Sequence, residues 1–228
     1  MGIYLNSNAP CSLYKSEVSR PYFVDKSKIL KDLIPLAEQG NSHICITRPR
    51  RFGKTVMANM VGAFFSRGSE DDAIFDKLRI SQYEGYRKHL NQHNVIYIDF
   101  GKMPGNCRSY EEYISRIEER LKRDLLKEYP KAEVFPGDSL WDIFESVFNE
   151  YNGQKFIFVF DEWDCIFHKN FVTQEDRQNF VSFLSNLLKD HAYVSLSYMT
   201  GILPIAKYSS GSELNMFIEY TMASEEKF

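Results

Sequence analysis

The chain has 228 residues, of which 43% are hydrophobic and 26% charged, and its 28 Lys and Arg against 31 Asp and Glu give a formal net charge of −3. This composition excludes wholesale disorder, and the balance of charges excludes a global positive field for nucleic acid or an anionic membrane. With no apolar run near the roughly 18 residues of a membrane helix and four scattered cysteines, we expect a reduced, cytoplasmic protein without membrane association.

The hydrophobic pattern predicts helices that alternate with short apolar strands. We expect an irregular start to about residue 24, because Pro10 and Pro21 interrupt it, and then a helix from Ile29 that ends at Gly40. The predicted elements that follow are a strand at 43–47, a helix to 65, a strand at 94–100, a helix at 110–129, a helix from Ser139 with Asp142 as capping partner, a strand at 156–160, a helix at 174–189 and strands at 193–200 and 214–222. This alternation predicts an α/β protein with a parallel sheet.

The segment TRPRRFGKT, residues 47–55, carries the strongest chemical signal. The pattern G-x-x-x-x-G-K-[ST] between a strand and a helix is a phosphate-binding loop, and Gly53, Lys54 and Thr55 match it in that context. Backbone N–H groups and the helix N-terminus bind phosphate in such loops. Gly53 would allow close approach, Lys54 would supply charge to the β- and γ-phosphates, and the Thr55 hydroxyl could ligate Mg²⁺.

The loop departs from the general pattern at its start. Arg48 stands where the first glycine is expected, and an arginine with positive φ would be strained unless a turn through Pro49 avoids it. A basic surface turn that caps a helix is therefore the alternative interpretation. Arg50 and Arg51 could contact phosphates, a neighbouring subunit or Asp164, or simply face solvent.

A second segment strengthens the nucleotide interpretation. The apolar run 156–160 reads as a buried parallel strand and ends in adjacent carboxylates, Asp161 and Glu162. Asp161 would hold Mg²⁺ directly or through water, and Glu162 would orient or deprotonate an attacking water. The alternative is a solvated acidic turn. Ligands in open α/β sheets bind at the carboxyl ends of the strands, so both segments are expected to converge there in a three-layer fold of the P-loop NTPase type.

Two weaker signals remain. Thr200 ends a predicted strand and could reach the γ-phosphate or the water, or be satisfied by local backbone in a turn. His89 and His93 are four residues apart but lack the glutamate of H-E-x-x-H and an evident third ligand, so a metal site there is not expected. The predicted nucleotide contacts are Arg48, Pro49, Arg50, Arg51, Phe52, Gly53, Lys54, Thr55, Asp161 and Thr200, with Thr55 and Asp161 as metal ligands and Glu162 and Lys54 as catalytic residues.

The chain resembles the bacterial AAA-ATPase-like family, whose members often carry a C-terminal nuclease-like domain of the PD-(D/E)xK type. The family's own loop is similar in having arginine in place of the first glycine. The resemblance implies ATP and Mg²⁺ at Gly53, Lys54, Thr55 and Asp161, with Glu162 as the hydrolytic residue. It rests on four segments in order: YFVDKS at 22–27, RPRRFGKT at 48–55, FDEWD at 160–164 and TGILPIAK at 200–207.

The resemblance also sets an expectation for domain organisation. We expect a single domain over 1–228, with a lead-in and helix over 1–40 and a nucleotide-binding core over 41–222. The family usually continues into a helical part and the nuclease-like domain, so the chain is expected to be truncated or naturally short at Phe228. Nucleic acid would then be an indirect partner only, through a domain that this chain lacks.

The leading functional prediction is an Mg²⁺-dependent ATPase that acts as a switch or regulator on a protein partner or on neighbouring copies in a homo-oligomer. ATP rather than GTP follows from the resemblance alone. One alternative is a module that senses nucleotide without hydrolysing it. Others are a P-loop kinase for a small molecule or nucleic acid, and a purely structural interaction domain.

Overall fold

The computed structural model describes residues 2–69, 73–209 and 211–221. Its helices and strands alternate along the chain, as the hydrophobic pattern predicts. The strands are β1 (Ser42–Thr47), β2 (Asn94–Asp99), β3 (Phe156–Asp161), β4 (Val194–Gly201) and β5 (Ile218–Tyr220). The α-helices are α1 (Ala9–Val18), α2 (Ile29–Gln39), α3 (Lys54–Phe65), α4 (Ala73–Asp76), α5 (Tyr86–His89), α6 (Tyr110–Glu128), α7 (Leu140–Glu150) and α8 (Gln174–Leu188).

The five strands form one parallel sheet in the order β2-β3-β4-β1-β5. Every residue of β3 and β4 is buried, because these two strands lie inside the sheet and helices cover both faces. Burial on both faces explains why the sequence of β3 is an uninterrupted apolar run. Since the strands run in one direction, their carboxyl ends all lie at the same edge of the sheet.

Helices on both faces of the sheet make the protein a three-layer α/β structure. In β3, Phe156, Phe158 and Phe160 pack into a core with α6, α7 and α8. Ile157 and Val159 point the other way, into a core shared with α1 to α5. This alternation follows from the two-residue period of a strand. The predicted fold class, a parallel sheet flanked by helices in the P-loop NTPase arrangement, is confirmed.

The first helix was not expected from the sequence. Residues 9–18 form α1, and Pro10 lies in its first turn, where a proline ring fits the helical φ and its missing N–H is not needed. The prediction of an irregular start is therefore wrong for this stretch. The glycine signal at Gly40 is confirmed, because Gly40 ends α2 with φ 80°. Ser139 and Asp142 form the predicted capping box of α7.

The last strand is much shorter than predicted. The sequence predicts a strand over 214–222, but only Ile218–Tyr220 pairs with β1, and position 222 lies outside the described residues. Leu214 and Phe217 are buried in a turn, where the Phe217 N–H donates to the Leu214 carbonyl at 3.2 Å. Their apolar character thus reflects core packing. Among the helices described, none is both long and apolar enough to cross a membrane.

Candidate functional site

The ends of β1, β2 and β3 bring the predicted loop and the acidic residues to one edge of the sheet. β1 ends at Thr47 and leads into the loop, while Asp161 ends β3. Asp99 ends β2 and lies in register beside Asp161 in the parallel pairing of the two strands. A carboxylate that the sequence analysis did not single out therefore joins the predicted site.

The loop folds around the ammonium group of Lys54. Lys54 Nζ donates to the carbonyl oxygens of Arg48 and Pro49, at 2.9 Å each. Gly53 precedes α3 in the left-handed conformation, with φ 79°, and its carbonyl accepts the N–H of Met57 at 3.0 Å. An ammonium has three donors, so these two carbonyls leave one N–H of Lys54 for an anion at the start of α3.

Arg48 does not carry the backbone strain considered at the first glycine position. The non-glycine residue with positive φ in this loop is Arg51, at 69°. The Arg48 N–H donates to the Gly201 carbonyl at 3.1 Å, and its guanidinium donates to the carbonyls of Thr47 and Tyr220 at 2.9 and 2.8 Å. Arg48 therefore ties the end of β1 to β4 and β5. Its predicted contact with nucleotide stays a prediction.

Backbone strain concentrates at this edge of the sheet. Among the described non-glycine residues, those with positive φ are Asn6, Asn41, Arg51, Asn91, Asn152, Glu162 and Asp190. Asn and Asp tolerate the left-handed region comparatively well, so the two unfavourable cases are Arg51 and Glu162. Both lie in the predicted site. Strain of this kind costs on the order of 1–3 kcal/mol and typically persists at functional positions.

Asp161 is fully buried, and one of its carboxylate oxygens has an evident protein partner. Thr200 Oγ1 donates to Asp161 Oδ1, whereas Oδ2 has no hydrogen-bond partner within the described part of the chain. Burial raises the pKa of Asp161, while the nearby hydroxyls of Thr200 and Thr55 lower it. A buried carboxylate oxygen beside the Thr55 hydroxyl suits Mg²⁺, which prefers oxygen ligands and usually keeps water and phosphate in its shell.

Glu162 follows Asp161 and is exposed at the sheet edge. Its left-handed backbone, with φ 51°, turns the chain sharply away from β3. Partial burial raises the pKa of Glu162, as do the charges of Asp161 and Asp99, while Lys54 lowers it. The loop and the carboxylates thus lie at the same edge of the sheet, near enough for the charge of Lys54 to favour ionised Glu162. A glutamate with a raised pKa beside a phosphate site is well suited to accept a proton from water.

Thr200 and Asp164 hold neighbouring groups in place. Thr200 is fully buried and donates to Asp161, which is neither the phosphate contact nor the local backbone contact considered from the sequence. Its contact with nucleotide stays a prediction. Asp164 Oδ2 accepts the N–H groups of Ile202 and Leu203 at 3.0 Å each, so this carboxylate anchors the turn after β4. Arg50 and Arg51 are exposed.

A cavity of about 670 Å³ adjoins the loop on the side of α1. Phe52 and Gly53 of the loop form part of its wall, and α3 contributes further apolar side chains. The remaining wall comes from α1 and from the segment that follows it. Its main apolar lining residues are Tyr22, Phe23, Val24, Phe52, Val56 and Met57. The cavity is thus a mostly apolar space directly beside the predicted phosphate site.

Sequence reasoning missed Asp99 and the cavity beside the loop. The signal for Asp99 was present, since it ends an apolar strand just as Asp161 does, but the side-by-side register of the two strands was needed to connect them. The segment 22–27 was singled out as part of the family resemblance. Its contribution to a cavity beside the loop depends on tertiary packing.

The two histidines form a hydrogen-bonded pair. His89 Nδ1 and His93 Nε2 are 3.1 Å apart, and His89 Nε2 lies 3.1 Å from Glu38 Oε1. Across 2–69, 73–209 and 211–221, no group of three or more His, Cys, Asp or Glu side chains is arranged to hold a metal ion by itself. Magnesium bound with the help of nucleotide phosphates does not need such a group.

The parallel three-layer fold and the strand–loop–helix segment at 42–65 define the class as a P-loop-type α/β protein. Within that class, a family model described as predicted AAA-ATPase matches residues 16–210, and the chain belongs to this family. The suspected resemblance is therefore confirmed. Membership supports nucleotide binding by an ATPase in general. A comparison with curated proteins finds no match.

Proposed function

We propose that the protein is an Mg²⁺-dependent ATPase whose site comprises the loop 47–55 and the acidic pair Asp161 and Glu162. One observation supports this proposal above the others: at the sheet edge where β1 leads into the loop, β3 ends in the fully buried Asp161, whose Oδ2 has no hydrogen-bond partner among the described residues. Lys54, Thr55, Asp161 and Glu162 together match three tasks of phosphoryl transfer to water. These tasks are charge neutralisation, metal binding from two sides and activation of water.

In this proposal the nucleotide lies across the start of α3. The phosphates contact the backbone N–H groups of the loop, the helix N-terminus and the remaining N–H of Lys54. The base and ribose enter the apolar cavity beside Phe52, whose volume of about 670 Å³ is in the usual range for small-molecule sites. The direction from loop to cavity then orients the γ-phosphate towards Glu162.

The side chains divide the hydrolytic step between them. Thr55 and Asp161 would hold Mg²⁺, which supplies positive charge to the phosphate oxygens when bound. Glu162 orients a water and accepts its proton as the water oxygen bonds to the γ-phosphorus. The bond from that phosphorus to the bridging oxygen breaks, which leaves ADP and phosphate. Lys54 neutralises the charge that develops on the phosphate oxygens.

Phosphate release tests this proposal, with wild type, Glu162→Gln and the exposed matched control Glu84→Gln compared under saturating Mg-ATP. Loss of a positioned general base lowers turnover by roughly 10²–10⁴-fold. We expect that loss in Glu162→Gln alone, with nucleotide binding retained. Equal turnover in Glu162→Gln and wild type would contradict the catalytic assignment.

A second candidate is a module that senses nucleotide without hydrolysing it. The two hydrogen bonds that Lys54 donates to its own loop favour this candidate, because the ammonium is already partly satisfied. It predicts ATP binding that depends on Lys54, with phosphate release no faster than the uncatalysed rate. In either case we propose that nucleotide acts as a switch or regulator, through a protein partner or neighbouring copies of the chain.

A further inference from the structure

Gly101 lies in a tightly fixed turn directly after β2. Its N–H donates to Asp99 Oδ1 at 2.9 Å, and its carbonyl accepts the N–H of Met103 at 3.0 Å. The preceding carbonyl, of Phe100, accepts the hydroxyl of Tyr113 on α6 at 2.9 Å. The backbone at Gly101 is therefore held on both sides and cannot easily shift.

The conformation of this turn does not require a glycine. The described glycines with positive φ are Gly40, Gly53, Gly137 and Gly153, and Gly101 is outside that set. What glycine provides at position 101 is space. A Cβ atom there would overlap Glu162 Oε2 and lie 3.2 Å from Glu162 Cδ and 3.0 Å from Asp99 Oδ1.

We propose that Gly101 is a positioning residue for Glu162: its bare backbone is the surface on which the Glu162 carboxylate rests. The catalytic consequence of this contact rests on the proposed ATPase function, but the contact itself does not. Three observations combine in the argument: the fixed turn, the ordinary φ of Gly101 and the overlap of a Cβ with the carboxylate.

The contact with Gly101 restricts the position of the Glu162 carboxylate, and an exposed glutamate otherwise lacks such a restriction. Its own backbone is fixed in the left-handed conformation, but a glutamate side chain has three further rotatable bonds. A rigid surface at Gly101 limits where the carboxylate can lie, next to Asp99 and facing the loop. Since a misplacement of about 1 Å at a reacting group can cost on the order of 10²-fold in rate, a methyl group at this position has a large expected effect.

The first experiment compares Gly101→Ala with Gly105→Ala, a matched control in the same loop. Gly105 also lacks positive φ, and a Cβ there would meet nothing within 4 Å. We expect kcat to fall at least tenfold in Gly101→Ala, with an unchanged KM for ATP, and to stay at the wild-type value in Gly105→Ala. In a Glu162→Gln background, Gly101→Ala should cause no further loss. Wild-type kcat in Gly101→Ala, or an equal loss in both backgrounds, would overturn the proposal.

A second experiment is independent of catalysis. The shift in unfolding midpoint caused by Gly101→Ala is measured in the wild-type and Glu162→Ala backgrounds, since Glu162→Ala removes the carboxylate that the new methyl group would strike. We expect a modestly lower midpoint in the first background and a smaller decrease in the second, where only the contact with Asp99 Oδ1 at 3.0 Å remains. The same shift in both would show that the two residues do not touch. If the wild type releases no phosphate, the ATPase proposal fails. The four unfolding midpoints would still test whether Gly101 and Glu162 are in contact.

Discussion

The predicted phosphate-binding loop comes from one continuous segment of the chain, whereas the acidic edge of the sheet combines residues from separate strands. The loop is nine consecutive residues, 47–55, whose own carbonyls hold Lys54, and several of its side chains are exposed. The acidic edge combines Asp99 with Asp161 and Glu162, from strands far apart in the chain, and burial raises the pKa of both members of the pair. The loop thus gains much of its geometry from its own backbone, with Arg48 tying its start to β4 and β5, whereas the acidic edge is assembled by the sheet at a cost in stability.

The largest expected effect comes from neutralising the buried carboxylate. In Asp161→Asn, the oxygen that accepts from Thr200 is kept while the negative charge available to a metal is lost. We expect phosphate release to become undetectable and the effect of ATP on the unfolding midpoint to become independent of Mg²⁺. Calorimetry with ATP, with and without Mg²⁺, measures this. A Mg²⁺ dependence equal to that of wild type would remove Asp161 from the metal site.

Phe52, which lines the cavity beside the loop, should contribute to ATP affinity by stacking on the base. Removing an aromatic ring that stacks on a base costs about 1–3 kcal/mol, so we expect ATP to bind roughly tenfold more weakly to Phe52→Ala. Inorganic tripolyphosphate has no base and should bind as tightly as it binds to wild type. Phe135→Ala is the matched control, because Phe135 is 64% exposed against 50% for Phe52 and does not line this cavity. Isothermal titration calorimetry measures the affinity of each ligand. If ATP and tripolyphosphate lost affinity equally in Phe52→Ala, the base would not contact Phe52.

The loss of folding stability caused by burying the Asp161 carboxylate should depend on pH. A carboxyl with a raised pKa in the folded state contributes stability below its unfolded value, 3.8 for Asp161, and loses it as pH rises through the folded value. Because Asn carries no charge at this position, the unfolding midpoint of Asp161→Asn should rise relative to that of wild type between pH 4 and pH 7. Thermal unfolding of both proteins across this range, without nucleotide, is the measurement, and a constant difference would assign the effect to packing.

The smallest expected effect concerns the strained backbone at Glu162. Left-handed conformation costs a residue with a side chain roughly 1–2 kcal/mol, and glycine avoids this cost. Glu162→Gly should therefore be more stable than Glu162→Ala by about 1 kcal/mol, although both lack the carboxylate. Urea unfolding of the pair measures the difference. A less stable glycine variant would mean that position 162 does not hold its left-handed conformation in solution.

The sheet and the loop could be predicted because their signals are local. Each of β1 to β4 is a short segment rich in β-branched, aromatic and other apolar residues, and these segments predicted the strands to within a residue or two of their observed ends. Gly53, Lys54 and Thr55 are consecutive, so their pattern needs no tertiary information. The sequence analysis missed α1 because it treated Pro10 as a helix breaker. A proline in the first turn is compatible with a helix.

The rest of the site depends on which strands lie side by side. The pairing of β2 with β3 brings Asp99 to Asp161 and Gly101 to Glu162, and no spacing within the sequence shows it. The sequence left open whether Arg48 has a strained positive φ or a turn through Pro49 avoids it. The strained residue of the loop is Arg51, while the Arg48 guanidinium donates to the Tyr220 carbonyl of β5. The position of a turn within a loop is set by such contacts.

The most direct test of the nucleotide site is thermal unfolding with and without Mg-ATP, for wild type, Lys54→Ala and the exposed control Lys31→Ala. A ligand at a hundred times its Kd stabilises by about 2.7 kcal/mol, which for a domain of this size raises the midpoint by roughly 5–11 °C. We predict that shift in wild type and in Lys31→Ala, and its loss in Lys54→Ala. A folded wild type that shows no shift, or a shift that survives in Lys54→Ala, would contradict nucleotide binding at this loop.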